Sequence, residues 1–157
     1  MAGPPPPSLD SQSVKSDGHG GAVGYDAAKR IKGRKRHLLV DTLGLLLGVA
    51  VTPASAPERD GAKVVLGRVL VGFTWLRRLW VDGGYSGATF AHWVKGLRPK
   101  LEVEVVKRSD DVSGFRVLPR RWVVERTLGW LIRQRRLVRD YETTPTSAEA
   151  WVYVAMI

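Results

Sequence analysis

HLLVDTLGLLLGVAVTP, His37 to Pro53, is the stretch on which the fold turns. Two apolar runs, His37–Asp41 and Leu45–Pro53, flank Thr42-Leu43-Gly44. Short apolar runs bounded by turn residues read as strands buried on at least one face, and two of them joined by a tight link read as a β-hairpin. Gly44 supplies the residue free to take positive φ. Asp41 stands where a turn former is expected, and its role reads as structural. Glycines and Thr52 interrupt the apolar character, and the stretch is far too short to cross a bilayer.

Working downstream, Asp60 is placed to cap a helix from Gly61 to about Val71, with Val64, Val65, Leu66, Val69 and Leu70 as its apolar face. LRRLWVDGGYS (Leu76–Ser86) reads as a strand ending at Asp82. Ala88–Leu97 suits a short helix with Phe90, Trp93, Val94 and Leu97 on one side. LEVEVVKR (Leu101–Arg108) alternates as a strand does. A long helix is expected over roughly Arg121–Tyr141, with Val124, Leu128 and Leu131 as its buried stripe, and a last helix begins at Ser147. Upstream, LDSQSV (Leu9–Val14) is a weak strand candidate, and the Gly-rich Ser16–Gly24 reads as a flexible loop. Residues 1–8, with Pro4 to Pro7, read as a disordered tail. The order of strands and helices predicts one α/β layered domain over residues 9–157. The last helix is still apolar at Ile157, which suggests further chain beyond it.

The charge is informative. Twenty-five basic residues against 15 acidic give a formal net charge of +10, an excess that favours a polyanionic partner. An anionic membrane surface would want a basic amphipathic helix with no other core to join, whereas these basic residues sit among segments of an ordinary core. Nucleic acid is therefore the expected partner, and no membrane association is expected. The Pro-rich start lacks the apolar core of a signal peptide. The chain has no cysteine, which excludes disulfides and thiolate metal sites and is compatible with a reducing cytoplasm. His19, His37 and His92 show no zinc-ligand spacing. Lys29, Arg30, Lys32, Arg34, Lys35 and Arg36 fill six of eight positions. The run reads as a phosphate-contacting strip in preference to a merely solvated loop.

Three acids are placed to meet. Asp10 lies in the first strand, Asp82 ends an interior strand, and Glu125 sits one turn into an arginine-studded helix. Two-metal phosphodiester chemistry needs carboxylates from separate segments converging on a basic surface. The competing readings are plain ones. Asp82-Gly83 also suits a tight hairpin turn, Asp10 a solvated tail, and Glu125 an exposed partner for Arg121. Trp122 and Trp130 read as packing residues rather than base-stacking ones.

LDSQSV, GYDAAKRIKGRKRHLLVDTLG, WVDGGYSG and RRWVVERTLGWLIRQRRLVRDYE together resemble the DDE transposases of bacterial insertion sequences, over nearly all of Leu9–Ile157. The resemblance implies an RNase H-like domain, a mixed central sheet flanked by helices. It implies Asp10, Asp82 and Glu125 as a metal-binding catalytic triad for two Mg²⁺ (or Mn²⁺) ions. Arg121 matches the family's Arg four positions before the Glu, and Asp82, Gly84 and Tyr85 match its Asp-x-Gly/Ala-Tyr signature. Leu118 stands where many relatives have Tyr, and Ile132 where many have Lys; Arg133 is adjacent but points about 100° away. Relatives also carry several apolar residues before the first Asp and an N-terminal helical region, so the chain reads as N-terminally truncated.

The expected function is metal-dependent strand cleavage and strand transfer of an insertion sequence. One ion would activate water or a DNA 3′-hydroxyl, and the other would stabilise the leaving oxygen. Lys29 to Arg36, with Arg121, Arg126, Arg133, Arg135 and Arg136, would hold double-stranded DNA at insertion-sequence ends and target through its phosphates. A cytoplasmic, nucleoid-associated homodimer is implied by the same resemblance. The alternative is a catalytically inactive transposase fragment that only binds DNA.

Overall fold

The computed structural model describes residues 6–17, 20–106 and 122–157. In chain order it contains β1 (Ser8–Lys15), β2 (Gly24–Asp26), β3 (Ile31–Val40), β4 (Leu46–Pro53), α1 (Glu58–Val69), β5 (Arg78–Val81), a 3-10 turn (Gly83–Tyr85), α2 (Ala88–Leu97), β6 (Glu102–Val105), α3 (Trp122–Arg133) and α4 (Pro145–Ala155). His19, Leu118, Arg121 and the end of the strand expected to reach Arg108 lie outside the described residues.

The expected hairpin forms. β3 and β4 pair antiparallel from Arg34↔Pro53 to Val40↔Leu46. Asp41 accepts from the backbone N–H of Leu43 and Leu45, and Gly44 takes φ 86°. β3 is also the antiparallel partner of β1 over eight residues, Ser8↔Val40 to Lys15↔Gly33. β2, which begins at the last residue of the expected Ser16–Gly24 loop, pairs with the start of β3. β5 runs parallel to β1 and β6 parallel to β5, which makes the sheet mixed. Ser8 opens β1, and the Pro7 carbonyl accepts from Trp80 N–H at 2.9 Å.

Strand alternation sends side chains to two cores. Leu9, Leu39, Leu79 and Val81 pack with α1 and α2 through Val65, Leu66, Val69, Phe90 and Val94. Leu38, Val49 and Val51 pack with Leu131, Leu137, Ala148 and Val152 of the α3–α4 side. α2 spans the expected residues, but α1 begins at Glu58 after Pro57, so Asp60 lies in its first turn rather than capping it. α4 is capped by Thr144, which accepts from Ser147 N–H, with Pro145 in the first turn, where its missing N–H costs nothing. α3 stops at Arg133, short of Tyr141. β4 is protected on its outer edge: Val51 N–H donates to Glu149 and the Val49 carbonyl accepts from Arg68.

Half of the basic run is internal, against the expectation that all six cations meet phosphate. Arg34, Lys35 and Arg36 are 0%, 6% and 1% exposed, because β3 is covered on both faces. They have no surface to offer DNA. The Arg34 guanidinium lies 3.3 Å from Asp140 and donates to the carbonyls of Gly21, Glu142 and Thr143 at 2.7–2.8 Å. Lys35 is 3.7 Å from Asp26 and donates to the Ala56 carbonyl. Arg36 donates to Gln12 at 3.0 Å; burial pushes its guanidinium down to about 10, with Asp140 acting in the opposite direction. These cations are internal struts.

His37 is equally internal. Thr52 Oγ1 donates to the Pro53 carbonyl, so its oxygen accepts from His37 Nε2 at 2.8 Å. α1 sits so close that a Cβ on Gly61 would lie 2.1 Å from the ring. Burial first, then the charges of Lys35 and Lys29, lowers its pKa from 6.5 to about 4. In this window the unfolded chain binds a proton that the folded chain does not, so stability falls as pH drops from about 6.5 towards 4. The expected loss is about 3 kcal/mol over that window. Denaturant unfolding at stepped pH checks it; a His37→Gln variant with the same pH slope would refute the assignment.

Candidate active site

β1 and β5 meet in parallel at Ser8↔Trp80; Asp10 stands two residues beyond that pair within β1, and Asp82 directly follows the end of β5. Both line one narrow cleft, walled by Trp80, Val81, Val106 and Val124. Asp10 is 8% exposed, and its carboxylate accepts from Ser11 N–H at 2.8 Å. It belongs to a fully paired strand, not to a solvated tail. Asp82 is half-buried and accepts from Gly84 N–H at 2.9 Å, capping the 3-10 turn. The Asp-Gly step therefore leads from a parallel strand towards α2 and makes no hairpin.

Tyr85 is buried within reach of both carboxylates' charge and packs on Phe90. Burial, then the carboxylates of Glu58, Asp10 and Asp82, push its hydroxyl well above the usual tyrosine range, with Ser11 acting the other way. The sequence reading did not single out Glu58. It accepts from Ser11 Oγ at 3.1 Å and fills the space over Gly84, where a Cβ would collide with its carboxylate. Arg59 beside it donates to the carbonyls of Gly84 and Ser86. The first turn of α1 thus holds the turn that follows Asp82. The one sequence signal was an acid-base pair immediately after Pro57.

Glu125 is placed differently. It is exposed in the first turn of α3, whose inner face is Val123, Val124, Thr127 and Leu131. Its neighbour Val124 lines the cleft. Successive helical residues point about 100° apart, so Glu125 does not share the direction of Val124. Among the described residues no three His, Cys, Asp or Glu side chains gather as a metal-holding group. The structure brings Asp10 and Asp82 together on the cleft, and Glu125 is not among the residues that line it. The two aspartates still fit a divalent ion by donor chemistry: Mg²⁺ takes hard oxygens, commonly one or two carboxylates plus substrate phosphates.

The other expected DNA contacts also divide. Lys29, Arg30 and Lys32 are exposed, as are Arg133 and Arg135. Arg126 donates to the Leu43 carbonyl and stacks over Trp130 at 4.5 Å, tying α3 to the hairpin turn. Arg136 bonds Glu142 at 2.7 Å and stacks over Trp151. Those two cations are already engaged within the molecule. No described helix is long and apolar enough to cross a membrane.

A mixed sheet with helices on both faces and two carboxylates on neighbouring parallel strands defines an RNase H-like α/β domain. The family model of the transposase DDE domain matches residues 7–157, and the chain belongs to that family. Among solved structures, the chain is similar in fold to one chain of the simian T-cell lymphotropic virus intasome in complex with PP2A regulatory subunit B56 gamma. The TM-score is 0.58 at 15% identity, over 99% of this chain and 49% of that one. The chain thus spans about half the length of that matched chain. No curated protein sequence matches it significantly.

Proposed function

We propose that the chain is the catalytic domain of an insertion-sequence DNA transposase that cuts and joins DNA strands at phosphodiesters, in a bacterial cytoplasm. The observation that carries this reading is the shared cleft of Asp10 and Asp82, held by strand pairing at the end of β5. Together with Glu125, these carboxylates would hold two Mg²⁺ or Mn²⁺ ions. When bound, such ions supply activation of an attacking hydroxyl and stabilisation of the leaving oxygen in an in-line displacement.

The chain's own residues have separate tasks. Asp10 and Asp82 hold negative charge at one point, and Glu58 and Arg59 keep the turn after Asp82 in place. Lys29, Arg30, Lys32, Arg133 and Arg135, with Arg121 by family resemblance, meet the phosphates of double-stranded DNA. Dimerisation would bring two DNA ends together.

Nicking of supercoiled plasmid in Mg²⁺ or Mn²⁺, with Asp82→Ala run beside the unmodified chain, tests this. Nicking that disappears in the variant while DNA affinity remains is the expected result. No nicking by either protein would point to a DNA-binding fragment without catalysis.

A further inference from the structure

The exposed half of the basic run does not stand alone. At the far end of β1 and β3 from the cleft, a groove of about 380 Å³ is lined by Lys15, Val23, Tyr25, Arg30 and Lys32, together with Ser16 and Asp17. Three cations face one acid, and Lys15, Arg30 and Lys32 make no ion pair among the described residues. Tyr25 is 54% exposed and lies opposite Lys32 in the β2–β3 register.

The frame around these side chains is firmly held. Buried Arg34 donates to the carbonyls of Gly21 and Ala22 on one side of the groove. Asp140 pins the other side, its N–H donating to Lys15 and its carbonyl accepting from Asp17. Asp26 caps the intervening turn by accepting from Ala28 and Lys29 N–H. That turn delivers Arg30 in the left-handed region, at φ 55°. A non-glycine residue kept there costs about 1 kcal/mol or more and persists where its surroundings over-determine it.

Position supplies the rest. Even-numbered residues of β1 face the α3–α4 side: Asp10 opposite Leu38, Gln12 opposite Arg36, Val14 opposite Arg34. Ser16 and Lys32 continue the same file, and Lys15, the last residue of β1, lines the groove from the strand end. Five residues of strand separate Asp10 from Lys15, about 16 Å at roughly 3.3 Å per residue. A DNA duplex rises about 3.4 Å per base pair along each strand, so the groove lies about five base pairs from the cleft.

We propose that this groove, in which Lys15 and Tyr25 join Arg30 and Lys32, is a defined anchor for the duplex, gripping its phosphate backbone about five base pairs from the bond cut at the Asp10–Asp82 cleft. Lys15, Arg30 and Lys32 meet successive phosphates, and the Tyr25 ring packs on the sugar-phosphate chain. The proposal rests on the DNA-cutting reading above.

The test uses the full chain with Arg30→Asn and Lys32→Gln together; Asn tolerates the left-handed backbone that position 30 requires. Binding to a labelled duplex is measured between about 50 and 200 mM salt. The expected result is a salt slope reduced by about two and an affinity lower by on the order of tenfold or more at low salt. Lys15→Gln, on an exposed strand end, reduces the slope by about one and serves if the double variant fails to fold. Duplexes with a single neutral methylphosphonate should lose affinity for the unmodified chain when it lies about five base pairs from the nick, and not for the double variant. Unchanged slope and affinity in both variants, or a methylphosphonate effect with no such position, overturns the groove. Lost nicking with these binding effects intact overturns the catalytic reading alone.

Discussion

Asp10→Asn is expected to lower metal-dependent strand cleavage by roughly three orders of magnitude while leaving fold and DNA affinity in place. Asn keeps the shape of Asp, and its amide oxygen can still accept from Ser11 N–H, so the eight-residue pairing of β1 with β3 is not disturbed. The change removes one of two carboxylates on the cleft, and with it several kcal/mol of charge stabilisation for a reaction that carries its charge on phosphate oxygens. Plasmid nicking, thermal unfolding and duplex binding on the same preparation check the three parts. Cleavage retained within a few-fold would remove Asp10 from the catalytic centre.

The second large effect is on stability. Arg34→Met is expected to cost about 3–5 kcal/mol, because it strands the Asp140 carboxylate, 1% exposed, without its partner. It also deprives the Gly21, Glu142 and Thr143 carbonyls of their donor. Against a total stability of roughly 5–15 kcal/mol, that loss leaves the variant marginal or unfolded. Arg34→Met with Asp140→Leu should recover part of it, since an apolar pair of similar volume removes the stranded charge. Denaturant unfolding of the three proteins decides the matter. A single variant within about 1 kcal/mol of the unmodified chain would show that the Arg34–Asp140 pair holds little together.

Both predictions concern residues whose sequence reading and structural outcome differ in instructive ways. Asp10 stands in Ser-Leu-Asp-Ser-Gln-Ser, a run with little apolar content and a poor strand by local measure. It is nonetheless a central strand, because β3 supplies a partner along its whole length and β5 a second one at Ser8. Local propensity counts for less than pairing and burial. Glu58 went unnoticed because its role depends on contact with Ser11 and Gly84, 47 and 26 positions away in the chain. Glu125 has the expected place in the chain, at the start of α3 and one position from Val124 on the cleft.

What the sequence determined by itself were the features written in neighbouring residues. The hairpin follows from two apolar runs and Gly44, α2 from the spacing of Phe90, Trp93, Val94 and Leu97, and the meeting of Asp10 and Asp82 from family motifs whose order survives in this chain. The basic run shows the other side. Six cations in eight residues look alike along the chain, yet β3 buries Arg34, Lys35 and Arg36 and leaves Lys29, Arg30 and Lys32 outside. Only tertiary structure could decide this, because the acid that makes burial of Arg34 tolerable, Asp140, lies 106 residues further along the chain.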